Sequence, residues 1–428
     1  MRVRATCFEI LAACLIAATL HADPRVTWLS EHAVSVRSID PADADFRDLE
    51  PLRATLANVR VVMLGEQSHG DGATFLAKTR LIRFLHEQMG FDVLAFESGL
   101  YDCAKAWDLL REGKEDAISR GVFRIWSDSR EVQPLIAYLN ARAKSSRPLE
   151  LAGVDCQLTG SASTDFLPGD LQAFATGDEW SRVAPVLRKL SDGTWEQENA
   201  VMPPAEEQAE FARILERWRS AIAARDKTPA TQPWSGAFWR QFLASLRVTA
   251  EQTWRSDMTN PAGSPAVFAM RDRQMGENLV WLANERYPNR KIIVWAATFH
   301  NARRIDTIRL DDPKLKGLYA VNVPMGEVAR RALGTRLYSL AFTAYEGEAA
   351  SMFAKSAKPL PKASPDSLED LFHRAGLANG FVDFRTAPRW LKRPLTARLL
   401  GHVEMRADWT RVVDGVLFLP RMERSHRR

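Results

Sequence analysis

Five titratable side chains follow apolar runs that read as buried strands. Glu66 and His69 leave the run 59–64, Glu97 leaves 91–96, Asp155 leaves 149–154, and His300 follows 291–296. One polar residue where a strand exits is ordinary. Five at corresponding ends define a candidate site, because ligands of open α/β sheets bind outside the carboxyl ends of the strands. The chemistry they suit is general-base hydrolysis. An imidazole with an ordinary pKa near ~6.5 takes a proton from water at neutral pH without much tuning, which makes His69 the candidate base. Glu66 or Glu97 would orient its ring and stabilise the imidazolium. His300 would position the water or donate to an oxyanion. Each residue alone also has a structural reading, since scaffold ion pairs perturb titration too. For His69 that reading is a cap or core histidine beside the next helix.

A second signal lies at Ser264-Pro265, where a serine before a proline opens a helix. Arg271, Met275, Asn278 and Leu282 then share one stripe, so Arg271 and Asn278 sit on a face that packs apolar side chains. A buried arginine needs a partner, and Asp155, a site glutamate or the substrate would serve. Arg271, Asp155 and Asn278 are thus candidates for substrate binding, with salt-bridged scaffolding the competing reading. No G-x-S-x-G elbow, Walker loop or dinucleotide fingerprint is present, so neither a serine nucleophile nor a cofactor is expected. His86-Glu87 lacks the second histidine of a zinc helix and reads as surface.

The elements that must position these groups alternate in type. Phe75, Ile82, Leu85 and Met89 recur at helical spacing before Gly90, and Leu100, Cys103, Ala104, Trp107 and Leu110 do so before Gly113. Strands alternating with amphipathic helices predict an α/β fold with a mixed, largely parallel sheet flanked by helices. From about 170 to 285 the pattern turns helical, with breaks at Pro203-Pro204, 228–233 and 260–265. This stretch reads as an inserted helical subdomain. Its seven tryptophans, from Trp180 to Trp281, suit helix packing or the wall of an apolar pocket. Runs at 291–296, 318–323, 337–343 and 416–419 predict further strands, and 355–365 an exposed loop. Residues 23–58 are expected to form an entry helix. The predicted division is a signal peptide over 1–22, core over 23–169 and 286–428, and the insertion over 170–285.

At 428 residues, 26% charged and 46% hydrophobic, the chain has an ordinary globular composition. Arg2 and Arg4 precede an apolar stretch at 10–20, and Ala22 precedes Asp23. That is the layout of a signal peptide and predicts export, to a periplasm. Cys14 after Leu11-Ala12-Ala13 also resembles a lipoprotein box, a lower-ranked reading. No other segment approaches a membrane span. Removing Arg2, Arg4 and Glu9 with the leader takes the net charge from +5 to +4, with no basic stripe, which excludes nucleic acid as an expected partner. The basic tail 421–428 reads as a frayed end. Cys103 and Cys156 remain, either disulfide-bonded, as export permits, or as two buried thiols.

In order, Gly65-Glu66-Gln67-Ser68-His69-Gly70, Phe96-Glu97-Ser98-Gly99, Gly153-Val154-Asp155-Cys156-Gln157, the Arg271-x-x-x-Met275-x-x-Asn278 stripe and residues 295–301 resemble the erythromycin esterase-like family. The resemblance covers about residues 55–345. It implies an α/β core with a helical insertion. It also implies hydrolysis of a macrolactone ester by histidine-activated water, without a covalent serine intermediate. By motif, that histidine is similar to His69, and Glu66, Glu97 and His300 to the residues around it. The family's Trp-Ala-His-Asn-Ala-His is here Trp295-Ala296-Ala297-Thr298-Phe299-His300-Asn301-Ala302-Arg303, with Arg303 in place of its second histidine. The resemblance therefore carries the site and not the macrolide.

The expectation is an exported, metal-independent hydrolase of a small-molecule ester or lactone. Two alternatives use the same residues. One is a metal-dependent hydrolase, since two His and two Glu suit Zn²⁺ or Mn²⁺. The other is a periplasmic haem- or metal-ligand-binding protein, resembling haem- or iron-binding factors. The oligomeric state is not legible in the sequence.

Overall fold

The computed structural model describes residues 23–196, 200–256, 265–350 and 357–428. The predicted signal peptide over 1–22 with Cys14, the predicted helix start at Ser264, and Lys355 of the predicted exposed loop lie outside them. In chain order the strands are β1 (Val34–Ser35), β2 (Val61–Leu64), β3 (Phe91–Gly99), β4 (Glu150–Asp155) and β5 (Lys291–Trp295). They continue as β6 (Leu337–Ala349), β7 (Lys358–Leu360), β8 (Gly380–Asp383), β9 (Leu395–Ala397), β10 (Met405–Ala407) and β11 (Gly415–Met422).

Nine of these form one sheet, ordered β1-β8-β11-β6-β2-β5-β3-β4 with β7 paired to β6. The strands from β11 to β4 are parallel, and β8, β1 and β7 join antiparallel. The fold is therefore a mixed, largely parallel sheet. Strand β5 returns late in the chain to lie between β2 and β3. Leu64, Trp295, Phe96 and Gly153 are level across four strands, which places the residues just beyond them side by side.

Both faces of the sheet are buried, as continuous apolar strands require. On β2, Val62 and Leu64 face one core while Val61 and Met63 face the other, the period-two alternation of a strand. Helix α1 (Gly72–Met89) covers the first face and ends on Gly90 at φ 73. Helix α2 (Leu100–Glu112) ends on Gly113 at φ 91. In both, glycine supplies the left-handed cap. Helices α3 (Glu179–Ser191), α4 (Ala205–Arg225), α5 (Gly236–Arg255) and α6 (Pro265–Trp281) share the second core with the sheet. Trp195, Trp218, Trp239, Trp254 and Trp281 are buried there, with Trp180 and Trp234 packed against it.

Several expectations are corrected. Residues 318–323 do not form a strand. Helix α8 (Pro313–Val321), which follows the short α7 (Thr298–Asn301), occupies most of that run. Asp312 caps it through Lys314 N, and Pro313 stands in the first turn. The predicted loop at 355–365 contains β7, which extends the β6 edge. Two short helices, Pro24–His32 and Pro51–Leu56, replace the single entry helix. His86 is buried and meets the Tyr138 hydroxyl at 2.6 Å instead of lying on the surface. The tail is not frayed. Ser425 N donates to Gly70 O, Ala73 N to Glu423 O and Arg130 N to His426 O. Cys103 and Cys156 are both buried free thiols.

Candidate active site

The turn after β2 is clamped before any side chain acts. Glu66 N donates to Ala296 O at 3.2 Å, and Thr298 N donates back to Glu66 O at 2.8 Å, which locks the turn to the end of β5. A Cβ at Gly65 would collide with Thr298, so only glycine permits that approach. The Glu66 carboxylate is fully buried. Its Oε1 accepts from Trp126 Nε1 at 3.1 Å and meets His69 Nδ1 at 3.0 Å, and its Oε2 pairs with Lys78 Nζ. Lys78, also buried, rises from α1 onto the Trp295 ring at 4.3 Å. Burial lowers the Lys78 pKa, against the pull of Glu66.

His69 therefore has its Nδ1 edge fixed by Glu66, with Trp126 edge-on at a centroid distance of 5.2 Å. Its Nε2 lies 3.9 Å from Glu97 Oε1, beyond hydrogen-bond reach. The ring is 21% exposed, the most open of the central group. Burial draws its pKa down, but the charge of Glu97 and the bond to Glu66 outweigh that and leave it raised above 6.5.

Glu97 sits where β3 slips register against β4 between Phe96 and Gly99. Such an irregularity re-aims a side chain at a strand end. Its Oε2 accepts from Ala297 N at 2.9 Å and its Oε1 from Arg271 Nη2 at 3.0 Å, with His300 Nε2 at 3.2 Å. Burial pushes its pKa up, yet His300, His69 and Arg271 hold it well below the usual carboxylate value. Asp155 holds Arg271 through Nε at 3.1 Å and Nη2 at 2.5 Å. On the other ring edge, His300 Nδ1 meets Asp272 Oδ1 at 2.5 Å, and Asp272 Oδ2 accepts from Asn322 Nδ2 at 2.6 Å. Burial lowers the His300 pKa, but Asp272 and Glu97 raise it to about 10, so the ring is an imidazolium at neutral pH.

Glu66, His69, Glu97, Asp155, Arg271 and His300 thus converge. Asn278 does not join them. It is fully buried, accepts from Gln241, Ser245 and Gln274, and donates to Val154 O at 3.0 Å, which ties α5 and α6 to β4. Sequence reasoning missed Lys78, Trp126, Asp272 and Asn322. Lys78 had a signal, being a charge on the Phe75–Ile82 stripe, one turn from each. Asp272 had a weaker one, sharing the stripe of Met275 and Leu279. Among the described residues, no group of three or more His, Cys, Asp or Glu side chains is arranged to hold a metal ion.

His69, with one nitrogen fixed by Glu66, faces the charged His300 ring across the Glu97 carboxylate. That division suits hydrolysis. The erythromycin esterase family model matches residues 86–422. This chain belongs to the erythromycin esterase family. Glu97, Asp155, Arg271 and His300 fall inside the matched span, and Glu66 and His69 just ahead of it. The Bacillus subtilis (strain 168) protein YbfO, which carries a provisional hydrolase name, is 27% identical, covering 98% of this chain and 97% of its own. An Escherichia coli erythromycin esterase type II is 22% identical over 91% of this chain and 96% of its own. Among solved structures, a succinoglycan biosynthesis protein superposes with a TM-score of 0.73 at 17% identity, covering 94% of this chain and 98% of its own. A His-to-Asn mutant of the erythromycin esterase EreC, in its open conformation, does so with a TM-score of 0.68 at 16% identity, covering 91% and 97%. These structures share the fold. Family and relatives together support a hydrolase. Among the described residues no helix is long and apolar enough to cross a membrane.

Proposed function

We propose that this chain is an exported hydrolase that cleaves a carboxylic ester or lactone with water activated by His69. The observation that carries the reading is the pairing of His69 Nδ1 with a Glu66 carboxylate itself held by Lys78 and Trp126. Glu66 fixes the proton on Nδ1 and leaves the Nε2 lone pair for water. Water attacks the carbonyl carbon as His69 Nε2 takes its proton. Glu66 and Glu97 stabilise the imidazolium that forms. His300 and Arg271 donate to the tetrahedral oxyanion, and one such preorganised donor is worth about 3–4 kcal/mol of barrier. As the intermediate collapses, His69 returns its proton to the leaving alkoxide, and acid and alcohol depart without a covalent enzyme intermediate. Asp155 acts by holding Arg271.

Family membership does not carry the substrate, since function resides in the site. The proposed substrate is a small ester or lactone, and no macrolide is assigned. Export rests on Arg2, Arg4 and the apolar stretch at 10–20. The test is hydrolysis of an ester and macrolactone panel by chelator-treated protein beside His69→Ala. Product from the wild type alone supports the reading. Product at equal rates from His69→Ala ends it, and activity lost on chelation and restored by Zn²⁺ or Mn²⁺ replaces it with a metal-dependent hydrolase.

A further inference from the structure

The turn that aims the base is gripped from a distant part of the chain. Strands β9 and β10 form a separate two-stranded sheet, and the loop 398–404 between them reaches the catalytic turn. Gly401 N donates to Gln67 O at 3.1 Å, and Gln67 Nε2 donates to Arg398 O. At the tip, His402 Nε2 meets Asp71 Oδ1 at 2.7 Å. The second Asp71 oxygen accepts from Ser68 N at 2.9 Å, the amide just before His69. Asp71 is fully buried and the His402 side chain is 9% exposed.

The backbone at His402 is unusual. Its φ is +58°, directly after Gly401 at +69°. Glycine adopts that conformation freely, whereas a histidine does so only uncommonly and at a cost that its surroundings must offset. Trp234, Arg304 and Asp366 are the other non-glycine residues with positive φ among those described, and His402 is the one bonded to the catalytic turn. Its Nδ1 is buried without a hydrogen-bond partner, so the ring's polar contact is spent on Asp71.

We propose that His402 is a positioning residue for the base, fixing through Asp71 the turn that aims His69 at its substrate. The inference rests on reading His69 as the base. Without the ring, the buried Asp71 carboxylate loses one of its two donors and turns to recover another. Ser68 N–H is then released, and His69 swings off Glu66, which stays with Lys78 and Trp126. His402 itself touches no reacting atom.

The test uses the full chain and needs no substrate. The His69 ring proton is titrated by NMR in the wild type, His402→Gly and His402→Gln. Glycine fits the left-handed backbone and removes the ring, while glutamine restores an Nε2 donor. In His402→Gly the His69 midpoint is expected to fall toward the free-imidazole value of about 6.5 as the Glu66 bond loosens, and to recover at least partly in His402→Gln. With any ester that the wild type hydrolyses, kcat should fall by about tenfold or more with KM little changed. Should the glycine variant not fold, His402→Asn tolerates the same backbone and is too short to reach Asp71. A folded His402→Gly or His402→Asn whose His69 titrates as in the wild type overturns the inference. Failure of the base reading registers separately, as hydrolysis retained in His69→Ala.

Discussion

Glu66, itself fully buried, pairs with the side chains of His69, Trp126 and Lys78, and that arrangement decides what each loss would do. Lys78→Met leaves a buried carboxylate without its cation, which costs about 3–5 kcal/mol. Combining it with Glu66→Gln should recover much of that stability, because the two changes share one interaction. Urea unfolding of the four proteins measures the coupling, and simple additivity would contradict the pairing. In the proposed mechanism the two histidines divide the pH dependence of the reaction. His69 must be neutral to take a proton, and its pKa lies above 6.5, so kcat/KM should rise with pH through a midpoint above that value. His300 must stay protonated to donate, so the rate should fall as pH passes about 10. Asp272→Asn removes the negative charge 2.5 Å from His300 Nδ1 and should move that upper limb to lower pH. An upper limb that stays in place would detach Asp272 from the chemistry. The strand-end residues of this group were legible because a polar residue leaving a buried run is visible locally. Trp126 was not, since the short helix Arg124–Ser127 reaches Glu66 only through tertiary packing.

Elements carry the next layer of precision. Four strand ends lie level, and the slip between Phe96 and Gly99 turns Glu97 toward both histidines. Gly153 permits that slip, since a Cβ there would strike the carbonyls of Ser98 and Gly99. The strands themselves were legible from continuous apolar runs, and the α1 and α2 ends from Gly90 and Gly113. Residues 318–323 misled because an apolar run at a helix end resembles a short strand, while the start signal lies ahead at Asp312-Pro313. The docking of the tail was invisible, because its backbone bonds and the bonds of Ser425 and His426 to the Glu131 carboxylate join residues far apart in the chain, which local pattern does not encode. Truncation after Met422 should free the amides of Ala73 and Arg130, whose bonds to Glu423 and His426 are each worth about 0.5–1.5 kcal/mol. Hydrogen exchange at those two amides should quicken in the truncated chain. Unchanged protection would mean that the tail contributes nothing to holding the turn after β2.

Across the whole molecule, the site is built by connections that skip along the chain. Strand β5 enters between β2 and β3 only after α3 to α6 have been laid down, so Glu97 and Ala297 meet across 200 residues. Local periodicity cannot encode that order, which is why the sheet class was legible and the strand order was not. The buried charges also make the stability of the fold depend on pH. His300 has a folded pKa of about 10 against an ordinary 6.5, so its contribution is complete below about 6.5 and is lost as pH rises through about 10. His300→Gln should flatten the decline in unfolding free energy between those limits, and an unchanged slope would place the decline elsewhere. The proposed reaction is hydrolysis by His69-activated water without a covalent intermediate. Its most direct measurement is mass spectrometry of single turnovers in ¹⁸O-labelled water, with chelator-treated wild type and His69→Ala on an ester and macrolactone panel. The predicted result is one ¹⁸O in the acid product, unmodified protein throughout, and no product from His69→Ala. An acylated protein, or equal product from His69→Ala, would contradict it.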